Sequence, residues 1–326
     1  MPFSDLVGNE RIKKLLRRAV SEGRVGQSLI MAGPHGIGKR QFALALAAAL
    51  NCDNPIDGDA CGNCIPCRKV AAGEHTDVVT ITPEGQFIKV AQMREMSFET
   101  QFRPYEGRRR VSIIDDADRL KLEAANSILK VLEEPPESSL LILVTSQPYA
   151  LLDTIRSRCL FLSFAPLSAP DLESYLAANY KRPQEETRLQ ARLAGGSIGR
   201  ALGIDLGEYR AKRSLMLDLT EALVNRDALK LMSLAEHLGR KLEKDEFEDH
   251  LDIFLIVLSD LLHLKVGETA ASLPNADVAP RLESINESAT MEQLMDWPER
   301  VELVLQSLKR NVNRQLATEA MLLGAI

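Results

Sequence analysis

Aromatic side chains make up only 5% of the 326 residues, with a single tryptophan and five tyrosines. Binding of single-stranded nucleic acid on a platform of stacked bases is therefore not expected. No run of about 18 uncharged apolar residues occurs, which excludes a helical membrane span. A net charge of −6 excludes nucleic-acid binding through overall basicity. Residues Met1 to Glu10 carry Asp5 and Glu10 and lack an apolar stretch. Neither a signal peptide nor a transit peptide is expected there, and the cytoplasm is the expected location. Cysteine is almost confined to one segment: four of the five lie between Cys52 and Cys67, and the fifth is Cys159. In a reducing compartment such clustering points to metal more than to disulfides. Internal repeats and low-complexity tracts are also missing.

Hydrophobic residues at 45% and charged residues at 26% describe a soluble globular protein, long enough for two or three domains. Charge is uneven, since Met1 to Leu50 holds eight basic and three acidic residues. The basic stretch Arg11 to Arg18 reads as a solvated helix face rather than a DNA contact.

The first half alternates strand and helix patterns. Apolar or β-branched runs at Ser28–Ala32, Asp77–Thr82, Arg110–Asp115, Leu140–Thr145 and Cys159–Phe164 read as strands. Between them Arg11–Glu22, Arg40–Leu50 and Lys121–Leu132 read as helices, the last ended by Pro135 and Pro136. This alternation implies a parallel α/β sheet. After Phe164 no strand signal follows. Ser168 with Asp171 marks a helix start, helices run to about Leu202, and Gly203–Gly207 is a joint. The remainder is helical, with breaks expected near Gly267–Asp277 and at Trp297–Pro298.

Gly33-Pro34-His35-Gly36-Ile37-Gly38-Lys39 fits G-x-x-x-x-G-K between a strand and a helix. Its glycines let backbone N–H groups face phosphate oxygens, the helix start adds a favourable dipole, and Lys39 reaches the outer phosphates. A plain glycine-rich turn is the alternative. The next residue is Arg40, where the motif calls for a Ser or Thr hydroxyl on Mg²⁺. A guanidinium has no lone pair and keeps its charge, so it repels the ion. Asp115 ends a strand at the position of a metal-binding carboxylate. Asp116 stands where a catalytic glutamate polarises water, one methylene short. Two polar residues at a sheet edge are the plainer alternative.

Cys52, Cys61, Cys64 and Cys67 form C-x8-C-x2-C-x2-C, with Gly58, Gly62, Asn63 and Pro66 supplying turns. Four thiolates around Zn²⁺ make a closed structural site of net charge −2, which Arg68 and Lys69 offset. Free thiols in a loop are the alternative.

In this order the pieces resemble the clamp-loader family of AAA+ ATPases. Ala124 to Pro136, reading AANSILKVLEEPP, is similar to that family's "LEEPP" segment. Ser157-Arg158-Cys159 matches its "SRC" motif, and a zinc insertion after the phosphate-loop helix is found in two bacterial subunit types. The resemblance implies an AAA+ module at 1–165 with a zinc module at 52–67, a helical lid at 166–207 and a helical oligomerising collar at 208–326. It implies nucleotide-binding positions at Gly33, Gly36, Gly38, Lys39, Arg40, Asp115, Asp116, Thr145 and Arg200. It also implies that Arg158 acts in trans, as an arginine finger in a neighbouring subunit's ATP site. The implied partners are the gamma/tau and delta subunits of DNA polymerase III, with the sliding clamp and primed DNA reached through the complex. The implied place is a bacterial replisome at the nucleoid.

Departures from the family pattern favour a subunit that does not turn over ATP. The lid reads Gly196-Ser197-Ile198-Gly199-Arg200-Ala201-Leu202, with Gly199 in the column of the family's ATP-sensing arginine and Arg200 one residue, about 100° of helix, later. Structural zinc is the expected cofactor, with ATP/Mg²⁺ doubtful in the chain's own site. The alternatives are a gamma/tau-like ATPase motor, and a non-replicative AAA+ regulator with zinc.

Overall fold

Ser28–Ala32 is buried at every position and forms strand β1. The strands β2 (Val78–Ile81), β3 (Arg110–Ile114), β4 (Ser139–Thr145) and β5 (Leu160–Ser163) join it in the order β2-β3-β4-β1-β5. All pairings are parallel, with Ala32 level with Thr145 on one side and Ser163 on the other. The structure, a computed structural model, describes residues 1–308 and 313–323. Parallel sheets need cover on both faces. Along β1 the side chains divide accordingly: Leu29 and Met31 enter a core with Phe3, Phe42 and Leu46, whereas Ile30 and Ala32 enter another with Met93, Ile128 and Leu143.

The helices of this part are α1 (Glu10–Ser21), α2 (Lys39–Asn51), α3 (Ile65–Ala72), α4 (Val90–Glu99), α5 (Leu122–Ser127), α6 (Leu129–Glu133), α7 (Asp153–Arg156) and α8 (Ala169–Asn179). They are followed by α9 (Gln184–Leu193), α10 (Ile198–Gly203), α11 (Leu206–Val224), α12 (Ala228–Glu236), α13 (Lys244–Lys265), α14 (Ala279–Ser288), α15 (Met291–Leu308) and α16 (Arg314–Leu323). Met1–Asn179 with Ala194–Leu202 make one compact unit, and Tyr180–Leu193 with Gly203–Ile326 make a second. The second is all helix among the described residues, around a core that includes Met216, Phe247, Phe254 and Leu282.

Two expectations are corrected. Lys121–Leu132 is not one helix. It breaks at Ile128, where the Ser127 hydroxyl donates to the Ala124 carbonyl at 2.7 Å and Ile128 is fully buried. Trp297–Pro298 is not a loop, because Pro298 lies inside α15. An interior proline costs about 3 kcal/mol, whereas burying an indole of about 150–250 Å² is worth roughly 4–6 kcal/mol at ~25 cal/mol per Å². Trp297 is only 2% exposed, so packing outweighs the proline.

A polar network lies inside the second unit. Asp260 accepts hydrogen bonds from the backbone and side-chain nitrogens of Asn275 at 3.1 and 2.7 Å. The Asn275 side-chain oxygen in turn accepts from Tyr209 and Arg213, and Arg213 also pairs with Asp277. Burial pushes the Asp260 carboxyl up to about 6, against the hydrogen bonds that favour its charged form. In the unfolded chain it titrates near 3.9. Between these values the folded state holds the proton more tightly, so Asp260's contribution to stability is full below about 4 and is lost as pH rises through 6. Urea unfolding of the second unit, followed by Trp297 fluorescence, is expected to show this fall, on the order of 1–3 kcal/mol. Asp260→Asn, neutral at every pH, should flatten that part of the profile. An unchanged slope would assign the effect to other groups.

Candidate functional site

The loop 33–38 leaves the C-terminal end of β1 and feeds directly into α2, whose first residue is Lys39. Gly36 has φ +74°, and a Cβ there would meet the Ser197 Oγ at 2.3 Å. Both the backbone conformation and the close approach therefore require glycine. Lys39 is buried, and its Nζ donates to the carbonyls of Gly33 and Pro34, each at 2.7 Å. Burial lowers its ammonium from the ordinary value, opposed by the nearby Asp115, Asp116 and Asp118. A cavity of about 600 Å³ opens over the loop, lined by His35 to Phe42, Asp115, Asp116 and residues of the N-terminal and lid segments.

Arg40 faces Asp115 across this cavity, Nη1 to Oδ2 3.7 Å. The other oxygen of Asp115 accepts the Asp116 N–H at 3.2 Å. Burial, with Asp116 beside it, raises the Asp115 carboxyl, and Arg40 pulls the other way. Asp116 has left-handed backbone, and its carboxylate lies 3.8 Å from Arg119. Thr145 is brought to the same end of the sheet, but its hydroxyl donates to Asp118 at 2.5 Å and accepts the Gln147 N–H. Asp118 was not singled out by the sequence. Its signal is its place three residues after Asp115.

The lid segment rests on the loop through two glycines. The Gly199 N–H donates to the Gly36 carbonyl at 3.0 Å. Gly199, Ile198 and Leu202 line the cavity, whereas Arg200 is exposed and absent from its lining. A Cβ on Gly199 would stand in ordinary van der Waals contact with Gly36, at 3.4 Å, so the two backbones pack closely here.

The sulfurs of Cys52, Cys61, Cys64 and Cys67 lie within 4.8 Å of one another. Ligands about 2.3 Å from a tetrahedral ion are roughly 3.8 Å apart, and the Cys52–Cys64 sulfur distance is 3.8 Å. The donor set therefore fits a thiolate-bound metal ion. The Cys61 N–H donates to the Cys52 sulfur and the Cys64 N–H to the Cys61 sulfur. The N–H groups of Asn63 and Cys64 bring the Cys61 thiol down to about 6, while burial pushes Cys52 and Cys67 up. The insertion is tied to the sheet domain by Asp59, which accepts the Phe3 and Ser4 N–H groups at 2.7 and 3.1 Å.

Arg158 stands at the other end of the sheet. It lies in the turn two residues before β5, an edge strand whose first residue, Leu160, is level with Leu29 near the start of β1. Its guanidinium, 36% exposed, donates to Glu133 at 2.9 Å and to the Thr154 carbonyl at 2.9 Å. Glu133 belongs to the LEEPP segment, so two motifs read separately in the sequence meet in one ion pair. Cys159 is half-buried, and burial pushes its thiol up to about 12, as suits an inert packing residue.

A strand, a glycine loop that opens a helix, and a strand-end aspartate paired with an arginine define a phosphate-loop-like α/β protein. Residues 8–168 match the family model described as "DNA polymerase III, delta subunit", and residues 208–325 match "DNA polymerase III, delta subunit, C terminal". The DNA polymerase III subunit delta-prime of Bacillus subtilis is 30% identical over 96% of this chain and 94% of its own length. The chain belongs to the delta-prime subunit family of DNA polymerase III. It is also 34% identical to the tau subunit of Escherichia coli, over 62% of this chain and 32% of that protein. Among solved structures, a gamma subunit-related protein of Thermotoga maritima aligns over 97% of both chains, with 20% identity and a TM-score of 0.42. No described helix is long and apolar enough to cross a membrane.

The purified chain is expected to carry about one equivalent of tightly held metal, since a four-thiolate site leaves no labile position. Elemental analysis of the wild type and of Cys64→Ser checks this. Content well under half an equivalent in the wild type, or unchanged content in the variant, would remove the cysteines from metal binding.

Proposed function

We propose that this chain is a clamp-loader subunit that helps open the sliding clamp and place it on primed DNA, without hydrolysing ATP itself. In this reading 1–165 is an AAA+ module, 166–207 its lid and 208–326 the collar that joins it to gamma/tau and delta subunits. Zn²⁺ in the cysteine site braces the insertion and does no chemistry. Arg158 serves a neighbouring ATPase subunit, where a guanidinium stabilises charge on a transferring phosphoryl group. The observation that carries the reading is the position of Arg158, exposed just before the edge strand β5, at the end of the parallel sheet opposite the chain's own phosphate loop. A side chain so placed has no work at its own site and is free for a partner's.

The absent hydroxyl after Lys39, and the guanidinium 3.7 Å from Asp115, support the inactive assignment. A motor subunit like gamma/tau is the second reading, favoured by the intact Lys39 and the identity with tau.

A loader reconstituted with gamma/tau and delta subunits separates the two. Lys39→Ala should leave ATP turnover nearly unchanged, and a turnover about tenfold slower would make this chain a motor. Arg158→Ala should assemble normally by gel filtration yet load clamps poorly. Fingers contribute roughly 10³–10⁵ at the one site they serve, so total turnover should fall only in part. Arg158→Lys should not rescue, because an ammonium lacks the planar fork. Wild-type loading by the assembled Arg158→Ala complex would refute the finger.

A further inference from the structure

We infer that the cavity over the phosphate loop takes a nucleoside polyphosphate without a divalent cation, with the Arg40 guanidinium standing in the metal's place. The inference goes beyond the reading above, which leaves the contents of this cavity unassigned.

The loop keeps what binding an anion requires. Gly36 and Gly38 hold positive φ and open a 13-residue helix, whose N-terminal end favours phosphate oxygens. Lys39 lies within the loop with its Nζ on two carbonyls, which it can exchange for phosphate oxygens. A cavity of about 600 Å³ matches the usual size for a ligand of this class.

What a metal requires has been replaced. Mg²⁺ demands oxygen ligands at about 2.0–2.1 Å in octahedral geometry. The residue that should offer a hydroxyl is Arg40. The carboxylate that should face the ion instead faces Arg40 through Oδ2 and the Asp116 N–H through Oδ1. Asp116, the second carboxylate at this strand end, sits near Arg119. The site therefore does not fit Mg²⁺, and a cation entering it has to displace the guanidinium from Asp115.

The same exchange leaves the site suited to phosphate. Arg40 is half-exposed, and Asp115 is its one ionic neighbour among the described residues. A guanidinium has five N–H donors, so it can keep Asp115 on one edge and present another to a phosphate. With Lys39, it supplies two fixed positive charges where an ordinary phosphate loop has a lysine and a bound ion.

Isothermal titration of the full chain with ATP, and separately with ADP, tests this in magnesium-free buffer and in excess MgCl₂. Magnesium is withheld rather than chelated, so the cysteine site is undisturbed. The wild type is expected to bind equally well in both, within about threefold. Arg40→Ser, which restores the hydroxyl, should bind about tenfold or more weakly without magnesium, the scale of one lost charge-assisted hydrogen bond, and recover with it. Arg40→Lys should fall between the two. Ligand-free melting temperatures establish that the variants fold, and the magnesium comparison on the wild type stands even where they do not. A wild type that needs magnesium, one that binds neither nucleotide in either buffer, or an Arg40→Ser variant indifferent to magnesium would overturn the inference. None of these outcomes bears on assembly with gamma/tau and delta subunits, which is measured separately on the wild-type chain.

Discussion

Strand polarity governs this molecule. Because all five strands run the same way, everything that follows a strand collects at one end of the sheet and everything that precedes a strand collects at the other. The loop after β1, Asp115 after β3 and Thr145 at the end of β4 thus share one end, as expected for ligand sites in parallel sheets. Arg158, just before β5, is held at the opposite end by the same rule. No local adjustment of side chains can bring it to Lys39. The two ends can cooperate only through another molecule.

At the loop end the substitutions are mutually consistent. Arg40 stands where the loop motif calls for a hydroxyl, Asp115 is its ionic partner, and Gly199 is seated on Gly36. Either of the first two alone would leave a defect: an unpaired guanidinium or an uncompensated half-buried carboxylate. Together they leave neither of these, and the arrangement is internally satisfied.

The sheet and the phosphate loop were legible in the sequence because both rest on local signals: apolar runs of strand length, glycines at fixed spacing and a lysine opening a helix. The cysteine cluster was legible for the same reason, since its four ligands lie within 16 residues. What escaped depends on distant partners. α4 was not seen, because its buried Met93 and Met96 are too few to set a clear period among Gln92, Arg94, Glu95 and Ser97. The break at Ile128 follows from a serine hydroxyl claiming a backbone carbonyl, and the continuity of α15 through Pro298 from the burial of Trp297. Asp260, Asn275 and Arg213 carry no motif and are joined only by the packing of α11 and α13.

The Glu133–Arg158 pair has a further consequence for the proposed finger. Both side chains are substantially exposed, at 51% and 36%, and an exposed pair contributes about 0–1 kcal/mol. A contact that weak still limits the directions in which the guanidinium points, because the Thr154 carbonyl fixes its other side. The side chain is thereby partly ordered before any partner arrives, and the exchange of a carboxylate for a phosphate replaces one charge-assisted bond with another of the same kind. An arginine buried with its carboxylate would have to break a strong pair on every engagement, and one wholly free would lose its full rotamer entropy each time, up to roughly 2 kcal/mol. The observed arrangement lies between these extremes: in the proposed role, Glu133 would hold Arg158 at rest, through the pair at 2.9 Å, until a partner's phosphate replaced it.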